Sequence, residues 1–414
     1  MLDDNLLDQV NDFMPYAIQM RRHLHEEPEV ASHEFDTSTF LKAECQKLGL
    51  IIEPVPKDNL SAGTGFIATY DTGKPGKVLG LRTDIDALPI QENEENLTGK
   101  RIVLSKRAGS MHACGHDGHM ATLLAATKLI IARKMLHSGK LILIFEEGEE
   151  ASTGIHAMVR MLKKKNLDAI YGQHLFSGLK TGVVALSHGP MTSSSLRIQM
   201  TIHGKGGHVS RPDLSVNPVI AAAYIVTGLA GAWVNQLPPD EMMTFGLSQI
   251  RGSSVRNVIP DDAYIGGSLR YHKDWVGQRA FRIIKEVSTS IAHAHGCTVS
   301  FSGDSGPSAR AVSNNDQHLI TIGRNSIESL YPGSLIDNFH WDASESFGHY
   351  AAVCPTLFTL VGTSNQEVGS GAEHHSEYFD LDERSLFYST GLMVQIAELF
   401  LNGTSLQSQD IAYE

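Results

Sequence analysis

Residues Met111 to His119 read Met-His-Ala-Cys-Gly-His-Asp-Gly-His, a glycine-punctuated stretch that gathers one thiol, three imidazoles and a carboxylate. These are metal-ligand types. Cys114 and His116, two positions apart, would point to different sides of a helix but can converge on one or two ions from an irregular loop. One histidine means little in a chain with 20, whereas five ligand-type side chains within eight positions point to a metal site. A second acidic cluster follows the apolar run Lys140 to Phe145, whose continuity suits a strand buried on both faces. That cluster, Glu146-Glu147-Gly148-Glu149-Glu150, sets four carboxylates side by side, and a nearby cation would relieve their repulsion. Asp84 and Asp86 follow the run Val78 to Leu81, where they could cap a turn or form part of a carboxylate shell around a metal.

The elements that must position these residues can be read from the same pattern. Leu167 to Gly172 reads as a strand ending in Gln173-His174, and Thr356 to Val361 as a strand followed by Glu373-His374-His375. In a doubly wound, mainly parallel α/β sheet, ligands bind at the C-terminal strand edge, which predicts Asp84, Cys114, Glu150, His174 and His375 in one place. A buried helix is expected from near Gly118 to Met135, and amphipathic helices over Leu6 to His25 and Glu34 to Leu48. Arg21-Arg22-His23-Leu24-His25 reads as a charged helix end. Gly65 to Tyr70 reads as a strand, and Asp380 with Glu383 as a capping box for a closing helix, Asp382 to Asn402.

The middle of the chain has another rhythm. Leu196, Ile198, Met200 and Ile202 alternate with polar residues, as in a strand with one wet face. A helix from Pro218 to Asn235, strands at Met243 to Ile250 and Ala263 to Tyr271, a helix from Val276 to His295 and a strand at Cys297 to Ser302 complete a βαββαβ order. The expectation is a ferredoxin-like α+β domain at residues 189–303, inserted into an α/β domain built from 1–188 and 304–414.

Composition narrows the function. A chain of 414 residues exceeds one ordinary core, and 42% hydrophobic with 19% charged residues describes a globular protein. The formal charge of −12 argues against nucleic acid or an anionic membrane as a partner. Met1-Leu2-Asp3-Asp4 opens no basic-then-apolar leader, and four scattered cysteines form no disulfide framework, so a cytoplasmic location is expected.

Over nearly its whole length the chain resembles the metallo-amidohydrolases that include hippurate hydrolase, aminoacylase-like N-acyl-amino-acid amidohydrolases and auxin-conjugate hydrolases. The matching segments are Arg21 to His25 with Pro28-Glu29, Asp84 to Pro89, Met111 to His119, Glu149-Glu150, Gly204 to His208, Asn257 to Pro260, and His375 with Phe379. The resemblance implies a dinuclear metal domain and a smaller lid domain that also forms a homodimer. It implies two divalent ions (zinc, manganese, cobalt or nickel) on Cys114, His116, Glu150, His174 and His375, with Glu149 as general base. It also implies that His208, Asn257 and Arg270 contact a small N-acyl amino acid substrate.

Four departures from the family pattern stand out. Gln-Pro-Ala is usual where this chain has Glu146-Glu147-Gly148, so Glu149-Glu150 is assigned by its spacing from Phe145, with Glu146-Glu147 as the other register. Asp213 and Ser346 replace a usual His and Asp, and Ser376-Glu377 follows His375 in place of a usual x-Pro, which leaves His374 as an alternative ligand. The chemistry expected is amide hydrolysis: bound metals supply hydroxide and polarise the carbonyl, Glu149 shuttles the proton, His208 faces the oxyanion, and Arg270 with Asn257 grips an α-carboxylate. Dipeptide or exopeptidase cleavage at the same site, or a non-catalytic metal-binding or interaction protein on this fold, are the alternatives.

Overall fold

The continuous apolar runs form the centre of a mixed eight-stranded sheet. In this computed structural model, which describes residues 5–302 and 310–403, the strands lie in the order Ile51–Pro54, Phe66–Asp71, Lys140–Glu146, Val78–Asp84, Ala169–Lys180, Thr356–Ser364, Val184–Ala185 and Leu335–Ile336. The four strands from Lys140–Glu146 to Thr356–Ser364 run parallel to one another. Their buried faces account for sequences without alternation. Helices Asn5–Glu26, His116–Arg133 and Ser385–Asn402 pack on one another, and residues such as Leu24, Leu123, Leu124 and Val394 join the strands' Leu79, Leu81 and Leu143 in one core.

The chain divides into two compact units, Met1–Met191 with Ser313–Phe339 and His349–Glu414, and Thr192–Val312 with His340–Gly348. The expected return to the first domain at residue 304 lies outside the described residues, as do Met1 to Asp4. Residues 340–348 belong with the second unit because Ser193 N–H donates to the Ala343 carbonyl (2.9 Å) and Arg270 Nη1 to Ser344 Oγ (2.6 Å).

Within the second unit the strands lie in the order Met243–Arg251, Asp262–Tyr271, Ser194–His203, Thr298–Phe301, each antiparallel to its neighbour. Helices Pro218–Gln236 and Asp274–Ala294 bury Leu196, Ile198, Met200 and Ile202 on one face, the alternation seen in sequence. The βαββαβ order with this strand arrangement is ferredoxin-like.

Three expectations need correction. The helix predicted from near Gly118 begins at His116, because Gly115, in the left-handed region at φ +83°, turns the chain one residue before it. The strand predicted to stop at Gly172 runs from Ala169 to Lys180, since its parallel pairing with Thr356–Ser364 continues past His174. His174 is therefore inside a strand. The closing helix starts at Ser385 without a side-chain cap, and the predicted capping box is absent. Asp380 instead accepts from Arg21 (3.2 Å) and Asn96 (3.0 Å), and Glu383 from Arg22 (2.8 and 2.7 Å).

Candidate metal centre

Cys114 enters from the turn before the helix His116–Arg133, His116 from its first residue, His174 from the strand Ala169–Lys180, and Glu149 and Glu150 from the loop after Lys140–Glu146. His375 lies in the segment between Thr356–Ser364 and Ser385–Asn402. Its φ of +65° is costly for a residue with a Cβ, on the order of 1–2 kcal/mol, and its N–H is held by the Ala113 carbonyl at 2.9 Å. Ligand atoms of Cys114, His116 and His174, of Cys114, Glu150 and His375, and of His116, Glu149 and Glu150 each lie within 4.8 Å of one another. All six predicted residues of this unit are thus brought together.

Hydrogen bonds decide which ring nitrogens carry protons. His116 Nδ1 meets the Asp86 carbonyl at 2.8 Å and His174 Nδ1 the Leu175 carbonyl at 2.8 Å. Carbonyls only accept, so Nδ1 donates in both rings and Nε2 is the nitrogen left for an ion. His174 Nε2 lies 3.5 Å from Cys114 Sγ, and His375 Nε2 lies 3.2 Å from Glu150 Oε1. His119 differs. Its Nε2 accepts the Leu175 N–H (2.8 Å), so its Nδ1 donates to Asp84 Oδ1 (2.7 Å), and neither nitrogen is left for an ion. His374 Nε2 accepts the Ser177 N–H (3.2 Å), which leaves the Nδ1 proton to face Cys114 Sγ at 3.7 Å. That makes His374 a donor to the sulfur.

The donor set fits a cation. His116 Nε2 and Glu150 Oε1 are buried without a hydrogen-bond partner among the described residues, a costly state unless an ion takes them up. Burial, then the charge of Glu150, pushes the Cys114 thiol well above its ordinary range, so a thiolate there needs a positive neighbour. Against the penalty of burial, Asp84, Asp86 and Cys114 raise His116 well above the usual imidazole range, the response of a site that demands positive charge. His374 is held neutral, pushed down to about 3 by burial and the imidazoles around it.

The acidic run divides into two parts. Glu146 Oε2 accepts from Arg82 Nε (2.8 Å) and Tyr350 Oη (2.7 Å). Glu147 accepts N–H groups of Ala62 (2.7 Å), Thr64 (2.6 Å) and Gly65 (2.9 Å). Gly148, at φ +59°, then reverses the chain and delivers Glu149 and Glu150 to the cluster.

The sequence profile of peptidase family M20/M25/M40 matches residues 80–398. The chain belongs to this family. It is 32% identical over 396 residues to IAA-amino acid hydrolase ILR1-like 5 of Arabidopsis thaliana, covering 95% of this chain and 88% of that protein. It is 29% identical over 386 residues to thermostable carboxypeptidase 2 of Saccharolobus solfataricus, covering 92% and 94%. Among solved structures it resembles the YXEP protein of Bacillus subtilis, described as a dinuclear metal-binding peptidase from the M20 family, with a TM-score of 0.79, 28% identity and coverage of 95% and 99%. The chain is a hydrolase of the M20 family.

In this M20 chain the second unit keeps its predicted residues at two places. His208 and Asn257 meet on a two-stranded arm, where Gly207–His208 pairs with Val258–Ile259 and Val209 N–H donates to the Asn257 carbonyl (3.3 Å). Arg270 stands on Asp262–Tyr271, and burial lowers its guanidinium from the ordinary value. Sequence reasoning missed a supporting network. Arg21 Nε (2.8 Å) and His25 Nδ1 (2.8 Å) grip Asp117 Oδ2 beside His116, while His25 Nε2 meets Glu92 (2.8 Å). Against burial and Arg21, these carboxylates raise His25, a buried imidazolium. The charged "helix end" is an internal brace, and the signal for it was the pairing of that segment with Met111 to His119 in the resemblance.

Proposed function

We propose that this M20 hydrolase cleaves the amide bond of N-acyl amino acids, releasing a carboxylic acid and a free amino acid, with two divalent ions on Cys114, His116, Glu150, His174 and His375. The observation that carries this reading is the set of ring nitrogens, thiol and carboxylates left facing one another once Nδ1 of His116 and His174 is tied to the backbone. Bound ions of this kind lower the pKa of water and polarise a carbonyl, and thiolate, imidazole and carboxylate donors suit zinc, manganese, cobalt or nickel. Glu149, beside the ligands, takes a proton from the attacking water and returns it to the leaving nitrogen, because an amide nitrogen departs only when protonated. His208 donates to the oxyanion, and Arg270 with Asn257 holds the substrate α-carboxylate. The IAA-amino acid hydrolase among the relatives supports the substrate class.

A second reading, removal of a C-terminal residue from dipeptides or peptides, is favoured by the carboxypeptidase relative. Turnover of the metal-loaded protein on matched N-acyl amino acids and dipeptides tests the choice. Faster hydrolysis of acyl amino acids supports the first reading; a preference for dipeptides replaces it with the second.

The proposal includes a homodimer through the second unit, whose edge strand Met243–Arg251 and helix residues Val219, Ile220 and Tyr224 are exposed. Light scattering checks this. No described helix is long and apolar enough to cross a membrane. A cytoplasmic location, where thiols stay reduced, suits Cys114 as a ligand.

A further inference from the structure

We propose that Glu34 is held as a neutral carboxylic acid and acts as a positioning residue for the loop that carries Glu149 and Glu150; the importance given to that loop rests on the function proposed above. Glu34 precedes the helix Phe35–Lys47 and is wholly buried. Its Oε1 accepts the N–H of Gly148 at 2.8 Å, one residue before Glu149. Its Oε2 lies 2.9 Å from the hydroxyl of Thr64, and that hydroxyl lies 3.0 Å from Oε2 of Glu147.

A hydroxyl has one proton to give. Three N–H groups, of Ala62, Thr64 and Gly65, compensate the charge of Glu147, against that of Gly148 on Glu34, so Glu147 is the ionised member of the pair and Glu34 the one that keeps a proton. Thr64 therefore donates to Glu147. The 2.9 Å contact between Glu34 Oε2 and Thr64 Oγ1 then carries the Glu34 proton, giving a directed chain from Glu34 through Thr64 to Glu147.

Charge around Glu34 favours the same state. Glu147 faces it through Thr64 from the acidic loop, and Asp86 acts on it from the turn after Val78–Asp84. Burial first, and Asp86 second, push Glu34 up to about 7. The segment holds the loop at a second point, since Ser32 Oγ, on a residue at φ +66°, donates to Thr153 Oγ1 (3.0 Å). Ionised, Glu34 would compete with Glu147 for one proton and repel the loop it anchors.

Glu34→Gln separates the proton from the shape, because its amide can donate to Thr64 and its oxygen can accept from Gly148. A carboxyl raised in the folded state keeps its proton after the unfolded chain has lost it. Wild-type stability should therefore fall, relative to Glu34→Gln, as pH rises from about 4.3 to about 7, and the difference should be constant above that. The expected result is equal melting temperatures near pH 4 and a wild type lower by a few degrees at pH 8. Infrared spectra at pH 6 should show a protonated-carboxyl band that Glu34→Gln removes. A pH-independent difference in melting, with no band lost, overturns the neutral acid. Should Glu34→Gln fail to fold, carbon-13 NMR titration of labelled wild type reads the same proton, and a Glu34 carboxylate already ionised at pH 6 overturns the proposal.

The positioning role has its own readout. Glu34→Gln and Thr64→Ser should keep metal content and kcat within about threefold of wild type at pH 7, whereas Glu34→Ala and Thr64→Val should lower kcat at least tenfold. Full activity and metal content in Glu34→Ala overturns that role. The spectroscopic and melting arms need no substrate, so their failure is distinct from failure of the amide-hydrolase reading.

Discussion

In the first unit, His116, His174 and His374 each have one ring nitrogen tied to a backbone group, so the other nitrogen points where the fold directs it. In the second unit, His208 is exposed on a short arm, and its Nδ1 meets Ser210, two residues further on, at 2.8 Å. The difference concerns preorganisation. Buried imidazoles held by a backbone group have their ring orientation set before any ion arrives, whereas an exposed imidazole takes its working geometry from what it binds. Substitutions among the ligands of the first unit should thus show first in metal content, and those in the second unit only in kinetics.

The largest effect sharpens this contrast from inside the first unit. Glu149→Gln should lower turnover by about 10²–10⁴-fold while metal analysis finds the wild-type content, because Glu149 is assigned proton transfer and no ion. Glu150→Gln should lose metal. If Glu147→Gln were instead the metal-replete, inactive variant, the division of the acidic run would be wrong.

His208→Ala comes next. Loss of an oxyanion donor should cost about 10²–10³ in kcat, with KM and metal content unchanged. Reduced metal content in this variant would break the contrast between the units.

Arg270→Ala should act more weakly and on KM. A charge-assisted bond to a carboxylate contributes about 1.5–3 kcal/mol, so KM should rise roughly ten- to a hundredfold. A substrate with an amidated α-carboxylate should cost the wild type a similar factor, and the variant should no longer distinguish the two. A variant that still prefers the free acid places the carboxylate elsewhere.

The smallest expected effect on catalysis is that of Glu147→Gln. Its carboxylate serves the turn at residues 62–65, so losing acceptors for buried N–H groups should cost about 1–3 kcal/mol of stability, read by urea denaturation. Turnover per folded molecule should fall far less than in Glu149→Gln, with metal content kept.

Periodicity made much of the architecture legible. Continuous runs such as Lys140 to Phe145 became the parallel centre, and the alternation from Leu196 to Ile202 became the one-sided sheet of the second unit. What stayed hidden depends on partners far apart in the chain. Nothing local to Glu146-Glu147-Gly148-Glu149-Glu150 says which carboxylates are tied up, because the answer lies in Arg82, Tyr350 and the turn at 62–65. His374 and His375 are likewise equivalent in sequence, and the Ser177 N–H separates them. Asp380 and Glu383 have the spacing of a helix cap, yet the buried Arg21 and its neighbour Arg22 outcompete the helix end for them.

Metal analysis of the purified chain, joined to turnover of an N-acyl amino acid before and after chelation, tests the metal centre most directly. The predicted result is two divalent ions per chain, activity lost with the ions and regained on their return, and a lower occupancy in Cys114→Ala, since a methyl group cannot replace a thiolate ligand. Full turnover by the metal-free protein, or an undiminished pair of ions in Cys114→Ala, would contradict it.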